Sequence, residues 1–548
     1  MNQVQTTACA GTTTSNPIHP SHLMHTTKRP PGRRRLMGCW WPMVLMLWVS
    51  AGFADQSPTG IDQAMYFKSH VRDAANCQDA LQVSRKKMHF EGIQNPAMAC
   101  PDAFAWTQFM NAVTAEFWQN WATDQQIWVA KPKAYCADAK DSDCCELNPK
   151  TGKTNYRGNA SGGNSHCPLY PESMGGIQLT VFADEHELSP HIASQARHLD
   201  DDVSRIARDT EAEIVYHNLP FFNYSVTQDL YHTNGLIDLY KREQFQAQQQ
   251  APQRPSGQGV SYPQSAIMFK VDFISEEVMT ILGYISDHDN DPSTPPNNAE
   301  HPYITMMIKN PESGELKTHY LVAVTGASKA LPNWHWYAFE HVDNIGRCDY
   351  IGCNDSYGFQ YSVEVNMPDG SQQAVMSHYI PPKQTTIELG DNLFVRNEKY
   401  PSADMTEQLA DLFKAMGVGQ GPVTHVTEQN PMPKVNSAAW QSYRLKGTQT
   451  TFYNNDGTPV HMGASVTEGG FVNTASCMSC HVQAGANAQG PNGNTVGGTM
   501  NLSLDGINKV TNGAPEAAVF FQPGTVTLNT ARTDFVWGVL NASPLSDD

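Results

Sequence analysis

The sequence predicts an α+β fold tied by disulfides. Helical and strand-like segments are mixed along its 548 residues without a regular βαβ rhythm. Ten of its twelve cysteines lie beyond residue 54, an even set of the kind that forms disulfide frameworks outside the cytoplasm. With 40% hydrophobic and 16% charged residues, the chain can bury a large core, which excludes wholesale disorder and a multi-span membrane protein.

The first element is an export signal over residues 1–54. A basic run, KRPPGRRR at 28–35, precedes the apolar run LMGCWWPMVLMLWVSA at 36–51, and Gly52-Phe53-Ala54 offers small residues for cleavage. The apolar run contains Pro42 and is short of the roughly 20 residues of a membrane helix, so no membrane anchor is expected after cleavage. Met24 and Met37 are alternative starts, and Arg33-Arg34-Arg35 leaves the export route open between general and twin-arginine secretion. The mature protein is expected to be periplasmic or secreted.

Between the signal and residue 430 the pattern predicts an α+β region, 55–430. Residues 102–128 place Phe104, Trp106, Phe109, Met110, Val113, Phe117, Trp118 and Trp121 at helical spacing, with Asp102 as N-cap. A packed core is the expected role of that stripe. Residues 134–170 carry four cysteines among Gly, Asn, Asp and Ser and read as a disulfide-tied loop region. Helices are expected at 199–217 and 224–243, followed by a Gln/Pro-rich linker at 244–263. Strands are expected at 266–273, 319–325, 333–342 and 359–365. The run Asp287-His288-Asp289-Asn290-Asp291 lacks the Gly and Glu of a calcium loop and reads as a solvated acidic turn. A helix at 405–417 closes on Gly417, and a Gly/Pro-rich connection at 418–434 leads into a C-terminal region, 431–548.

The C-terminal region contains the one motif with defined chemistry. Residues 477–481 read Cys-Met-Ser-Cys-His, the C-x-x-C-H spacing at which two thiols add to haem vinyl groups and the next imidazole reaches the iron. One helical turn separates Cys477 from Cys480, and His481 follows directly. A redox dithiol would want a βαβ setting and a zinc site a second close pair of ligands, and neither is visible; a structural disulfide is the other alternative. The motif occurs once, so one covalent haem c is expected, in a mainly α or irregular C-terminal haem-binding region with His481 as proximal iron ligand.

The sixth ligand is less defined. Met500 follows in a Gly-rich stretch and is a candidate distal iron ligand, equally readable as a loop hydrophobe. His461, Met462, His335, His341, His378 and His425 are further candidates, each more readily a structural residue. Of the remaining eight cysteines, which allow 105 pairings, only Cys348 with Cys353 is locally closable, and neighbours Cys144 and Cys145 are expected to pair elsewhere. In 333–344 the groups Glu340 and His341 could handle protons beside a haem, but mutual satisfaction near a Cys348–Cys353 crosslink is favoured.

Charge narrows the partners. The chain carries a net −18, and loss of the five basic residues of the signal makes the mature protein more acidic still. Nucleic acid is excluded as a partner, and a soluble redox protein with a basic docking surface fits.

The chain also resembles the large monohaem periplasmic cytochrome c family proteins of Gram-negative bacteria, most of which lack an assigned reaction. The resemblance is carried by Glu213-Ile214-Val215 through Tyr224, Ile267 to Lys270, Trp334 through Asn344, Tyr443 through Gln449, Ser476 to His481, and Asp534-Phe535. It implies one integrated haem protein, with roles carried over only for Cys477, Cys480 and His481. This chain departs from the pattern at His335, between two tryptophans, and in the cysteine-rich stretch 134–170. The expected function is that of an exported monohaem c-type cytochrome passing electrons to a soluble partner. The alternatives are a peroxidase- or oxygenase-type enzyme with an open distal site and a haem-based sensor.

Overall fold

The computed structural model describes residues 73–158, 166–171, 212–249, 259–281, 283–285, 296–298, 300–309, 313–344, 346–382, 400, 403–465, 467–468, 472–473, 475–491, 513–515 and 517–546. The expected export signal over 1–54, the acidic run 287–291 and Met500 lie outside the described residues.

The centre of the molecule is a seven-stranded antiparallel sheet. Its strands are β1 (Ala122–Thr123), β2 (Ala212–His217), β3 (Ile267–Ser275), β4 (Thr305–Lys309), β5 (Leu316–Ser328), β6 (His335–His341) and β7 (Tyr443–Gln449). They lie in the order β7-β6-β5-β3-β2-β1, with β4 beside the first half of β5. The sheet thus joins strands from both sides of residue 430, since β7 pairs with β6.

Alternation along the strands sorts side chains onto two faces. Ile214, Tyr216, Phe269, Val271, Tyr337, Phe339 and Leu445 point into one core, where helix α1 (Pro101–Thr114) packs. Phe109 stacks on Phe339 with ring centroids 4.4 Å apart, and Trp106 meets the same ring edge-on at 4.8 Å. Gly326 belongs here because a Cβ on it would lie 2.1 Å from the Tyr337 ring. Met268, Ala323, Ala327, Trp336 and Ala338 point into the second core, with α2 (Leu219–Thr227), α3 (Thr233–Gln249) and Cys477, Met478 and Val482.

Four disulfides close the periphery: Cys77–Cys100, Cys136–Cys144, Cys145–Cys167 and Cys348–Cys353. Cys144 and Cys145 pair apart, as strain between neighbours requires. They start a hairpin, Cys144–Asn148 with Lys153–Arg157, inside the region read as loop.

Several expected elements differ. The helix over 102–128 stops at Thr114 because Glu116 takes a left-handed conformation, φ 50°, and a short turn, β1 and another turn follow. Asp102 is not the N-cap; that position is Cys100, and the Asp102 carboxylate is buried, accepting from the Ser356 amide and hydroxyl and the Thr448 hydroxyl. The helix expected over 199–217 is strand β2 from Ala212, whose alternate residues Ala212, Ile214 and Tyr216 fill the core; 199–211 lie outside the described residues. The helix over 224–243 is two, broken where Asp229 adopts φ 53°, and α3 runs on into the expected linker as far as Gln249. The strands at 266–273, 319–325, 333–342 and 359–365 are present. So is the helix α4 (Glu407–Met416), with Thr406 capping Leu409 N–H and Gly417 left-handed at φ 70°.

Candidate functional site

The Cys-x-x-Cys-His segment forms a short helix, α5 (Cys477–His481), seated on the second face of the sheet. Its start is fixed by the fully buried Gln449 at the end of β7. The Gln449 side-chain oxygen accepts the Met478 N–H at 3.1 Å, and its amide donates to the Ser476 hydroxyl at 2.9 Å. Ser476 in turn accepts the Ser479 N–H, and the Ser479 hydroxyl donates to the Gly513 carbonyl at 2.8 Å. Met478 points inward and is buried, while Cys480 and His481 are half-buried.

Neither Cys477 nor Cys480 is in a disulfide, although the eight other described cysteines all are. Burial pushes the Cys477 thiol well above its ordinary range, with the Glu468 carboxylate adding to the effect, so it stays protonated. The sulfur donates to the Met462 carbonyl at 3.5 Å.

His481 is held from behind. Its Nδ1 lies 2.9 Å from the Phe535 carbonyl oxygen, which can only accept, so Nδ1 carries the proton and Nε2 keeps its lone pair. Burial lowers the ring to about 4, leaving it neutral at neutral pH. The Trp336 ring lies beside it, centroids 4.5 Å apart. A histidine that ligates through one nitrogen while the other donates to a backbone carbonyl is the usual arrangement at a metal.

The Phe535 carbonyl is presented by an unusual turn. Asp534 and Phe535 both have positive φ, 55° and 70°. Asp534 is buried and clamps the turn: Oδ1 takes Lys329 Nζ at 2.6 Å, Oδ2 takes Tyr262 N–H at 2.7 Å, and its carbonyl takes Trp334 Nε1 at 3.0 Å. Gln449, Asp534, Lys329 and the Phe535 carbonyl are site residues that pattern reasoning gives no role. Beside the turn opens a cavity of about 320 Å³, walled by Tyr262, Lys329, Asn333, Val482, Arg532 and Phe535 among others.

The alternation in β6 removes two candidate iron ligands. Trp336 faces α5, so His335 and His341 face the other core. His335 Nε2 bonds the Pro101 carbonyl at 3.0 Å, and His341 stacks on Tyr303 at 3.4 Å. Glu340 points to the α5 side and pairs with Lys446 Nζ at 2.9 Å, so it and His341 do not satisfy one another. Met462 packs against Gly447 of β7.

The residues present fit a covalently held haem: two cysteines one turn apart and outside any disulfide, and an adjacent neutral imidazole whose Nε2 keeps its lone pair. Among the described residues no group of three or more His, Cys, Asp or Glu is placed to hold a metal ion, so the second ligand pair of a zinc site is not found there. No family model, no curated protein and no solved structure matches this chain.

Proposed function

We propose that the chain is an exported monohaem c-type cytochrome that passes single electrons to a soluble partner. The carrying observation is a pair of cysteines outside any disulfide next to an imidazole anchored through Nδ1, in a chain whose other described cysteines are all crosslinked. Such a donor set supplies two thioether links and a proximal ligand, and a bound haem supplies a one-electron ferric/ferrous couple.

The protein's own groups do the positioning. Gln449 fixes the start of α5, the Asp534–Phe535 turn sets the tautomer and orientation of His481, and Trp336 packs the ring. Four disulfides support an oxidising compartment, periplasmic or secreted. Among the described residues no helix is long and apolar enough to cross a membrane. The net charge of −18 supports a partner with a basic docking surface. The pieces that resemble the large monohaem periplasmic cytochromes support the same assignment.

A second reading, a haem-dependent oxidoreductase, is favoured by the 320 Å³ cavity that shares Phe535 with the His481 anchor. Visible spectra of protein matured in a host that attaches haem c separate the two. A low-spin spectrum unmoved by carbon monoxide supports electron transfer, and a prompt shift supports the enzyme. His481→Ala is expected to change the spectrum and potential; a protein without covalent haem sinks both readings.

A further inference from the structure

The face of the sheet that carries α5 also carries buried charge. Pairing aligns Glu213, Asp272, Ala323 and Glu340 in one row across β2, β3, β5 and β6. The next row is Val215, Lys270, Thr325 and Ala338. Of the charged side chains gathered there, Asp272, Glu340 and Lys446 are buried, and Lys270 and Glu213 are half-buried.

Their pairing is incomplete. Lys270 Nζ donates to Glu213 at 3.1 Å, and Lys446 Nζ, from β7, donates to Glu340 at 2.9 Å. Ser465 donates to Glu340 as well. From the segment before α5, Glu468 accepts the Ala464 N–H and Thr467 donates its hydroxyl to Asp272 Oδ2. Two lysines therefore face four carboxylates. Asp272 is fully buried, and among the described residues its Oδ1 has no partner; neither has the Thr325 hydroxyl two residues along in the adjoining row. A buried carboxylate with an empty oxygen and no lysine of its own is costly when ionised.

We infer that Asp272, set among Lys270, Glu213, Thr467 and Glu468, takes up one proton when the haem carried by Cys477, Cys480 and His481 is reduced, and releases it on oxidation. The inference rests on the proposed haem attachment. As one electron from a donor protein converts ferric to ferrous iron, one proton from solvent joins the Asp272 carboxylate. When the electron leaves for the partner, that O–H bond breaks and the proton returns to solvent, so each cycle carries one electron and one proton.

The coupling is electrostatic. Lys270 and Glu213 act on His481, and Glu468 and Lys270 on Cys477, so the row and the attachment helix share one field. Removing a positive charge at the iron strengthens the hold of a nearby acid on its proton, and linkage makes the effect reciprocal. Burial pushes Asp272 up to about 8, with Glu213 and Glu468 raising it further and Lys270 and Thr467 opposing, which puts its titration near neutral pH. Burial also raises Glu468.

The test is the midpoint potential of the intact holoprotein as a function of pH, with the redox-induced infrared difference spectrum in the carboxyl region. The potential is expected to fall as pH rises, by up to about 59 mV per unit, the tenfold equivalent for a one-electron couple. Reduction is expected to produce a protonated-carboxyl band. Asp272→Asn removes both the slope and the band, and Thr467→Val, which deletes a hydrogen bond to the ionised form, moves the sloping window to higher pH. A wild-type potential independent of pH, or reduction without a carboxyl band, overturns the inference even if Asp272→Asn fails to fold. So does an unchanged slope in that variant. These outcomes in a protein with normal covalent haem leave the cytochrome assignment standing, whereas absence of covalent haem overturns both.

Discussion

The Nδ1 proton of His481 goes to the Phe535 carbonyl, and the turn that offers this carbonyl has two consecutive non-glycine residues at positive φ. Each such residue costs of order 1–3 kcal/mol, so the surroundings must over-determine the conformation. Asp534 does so through Lys329, Tyr262 and its own carbonyl to Trp334. Asp534→Ala leaves Lys329 buried without its counter-charge and is expected to cost about 3–5 kcal/mol in urea denaturation. It is also expected to alter the haem spectrum by releasing His481; a destabilised variant with an unaltered spectrum would separate the turn from the histidine.

At the level of elements, three acids gather at the start of α1, and two of them, the buried Asp102 and Asp355, tie it to the chain around residues 354–358. Asp73 accepts the Asp102 and Ala103 N–H groups at the helix start, Asp102 binds Ser356 and Thr448, and Asp355 accepts Trp106 Nε1 and the Tyr357 and Gly358 N–H groups. Burial raises them to about 8, 6 and 7 respectively. Their folded values exceed an unfolded value of about 3.9, so the folded state binds protons more tightly. Below about pH 4 these groups contribute no penalty. As pH rises the penalty grows, and it is complete above about 8. Stability is therefore expected to decline from acid towards alkaline pH, and Asp355→Asn to flatten that decline in denaturation midpoints taken across the range. A variant with the wild-type pH profile would show that Asp355 does not titrate with folding.

For the whole molecule, cysteine chemistry gives a count that discriminates. Four disulfides take eight of the ten cysteines beyond residue 54, and Cys477 and Cys480 remain. In denatured, unreduced holoprotein no thiol of these ten is expected to react with an alkylating reagent, and after reduction eight are. Two reactive thiols before reduction would mean that Cys477 and Cys480 carry no thioethers. The same sheet joins strands from both sides of residue 430, since β6 pairs with β7 and Gln449 of β7 holds α5. Attachment chemistry and the α+β core are thus mechanically one unit.

Local chemistry was readable along the chain. The spacing of Cys477, Cys480 and His481 carries the proposed attachment, Cys348 and Cys353 close a short loop, and Thr406 and Gly417 bound α4, because each signal lies within a few residues. Strands β3, β5 and β6 were readable from β-branched and aromatic runs. Tertiary structure decided the rest. Residues 212–217 follow neither helix nor strand decisively until β3 pairs with them, and Glu116 breaks α1 without a glycine or proline to announce it. Which of Trp336 and His335 faces α5 depends on register, and a shift of one residue would exchange them. The Phe535 carbonyl behind His481, and the row that sets Asp272 beside Glu213, join residues more than fifty positions apart. Such contacts depend on how β2, β3, β5 and β6 pair, and no local propensity encodes that pairing.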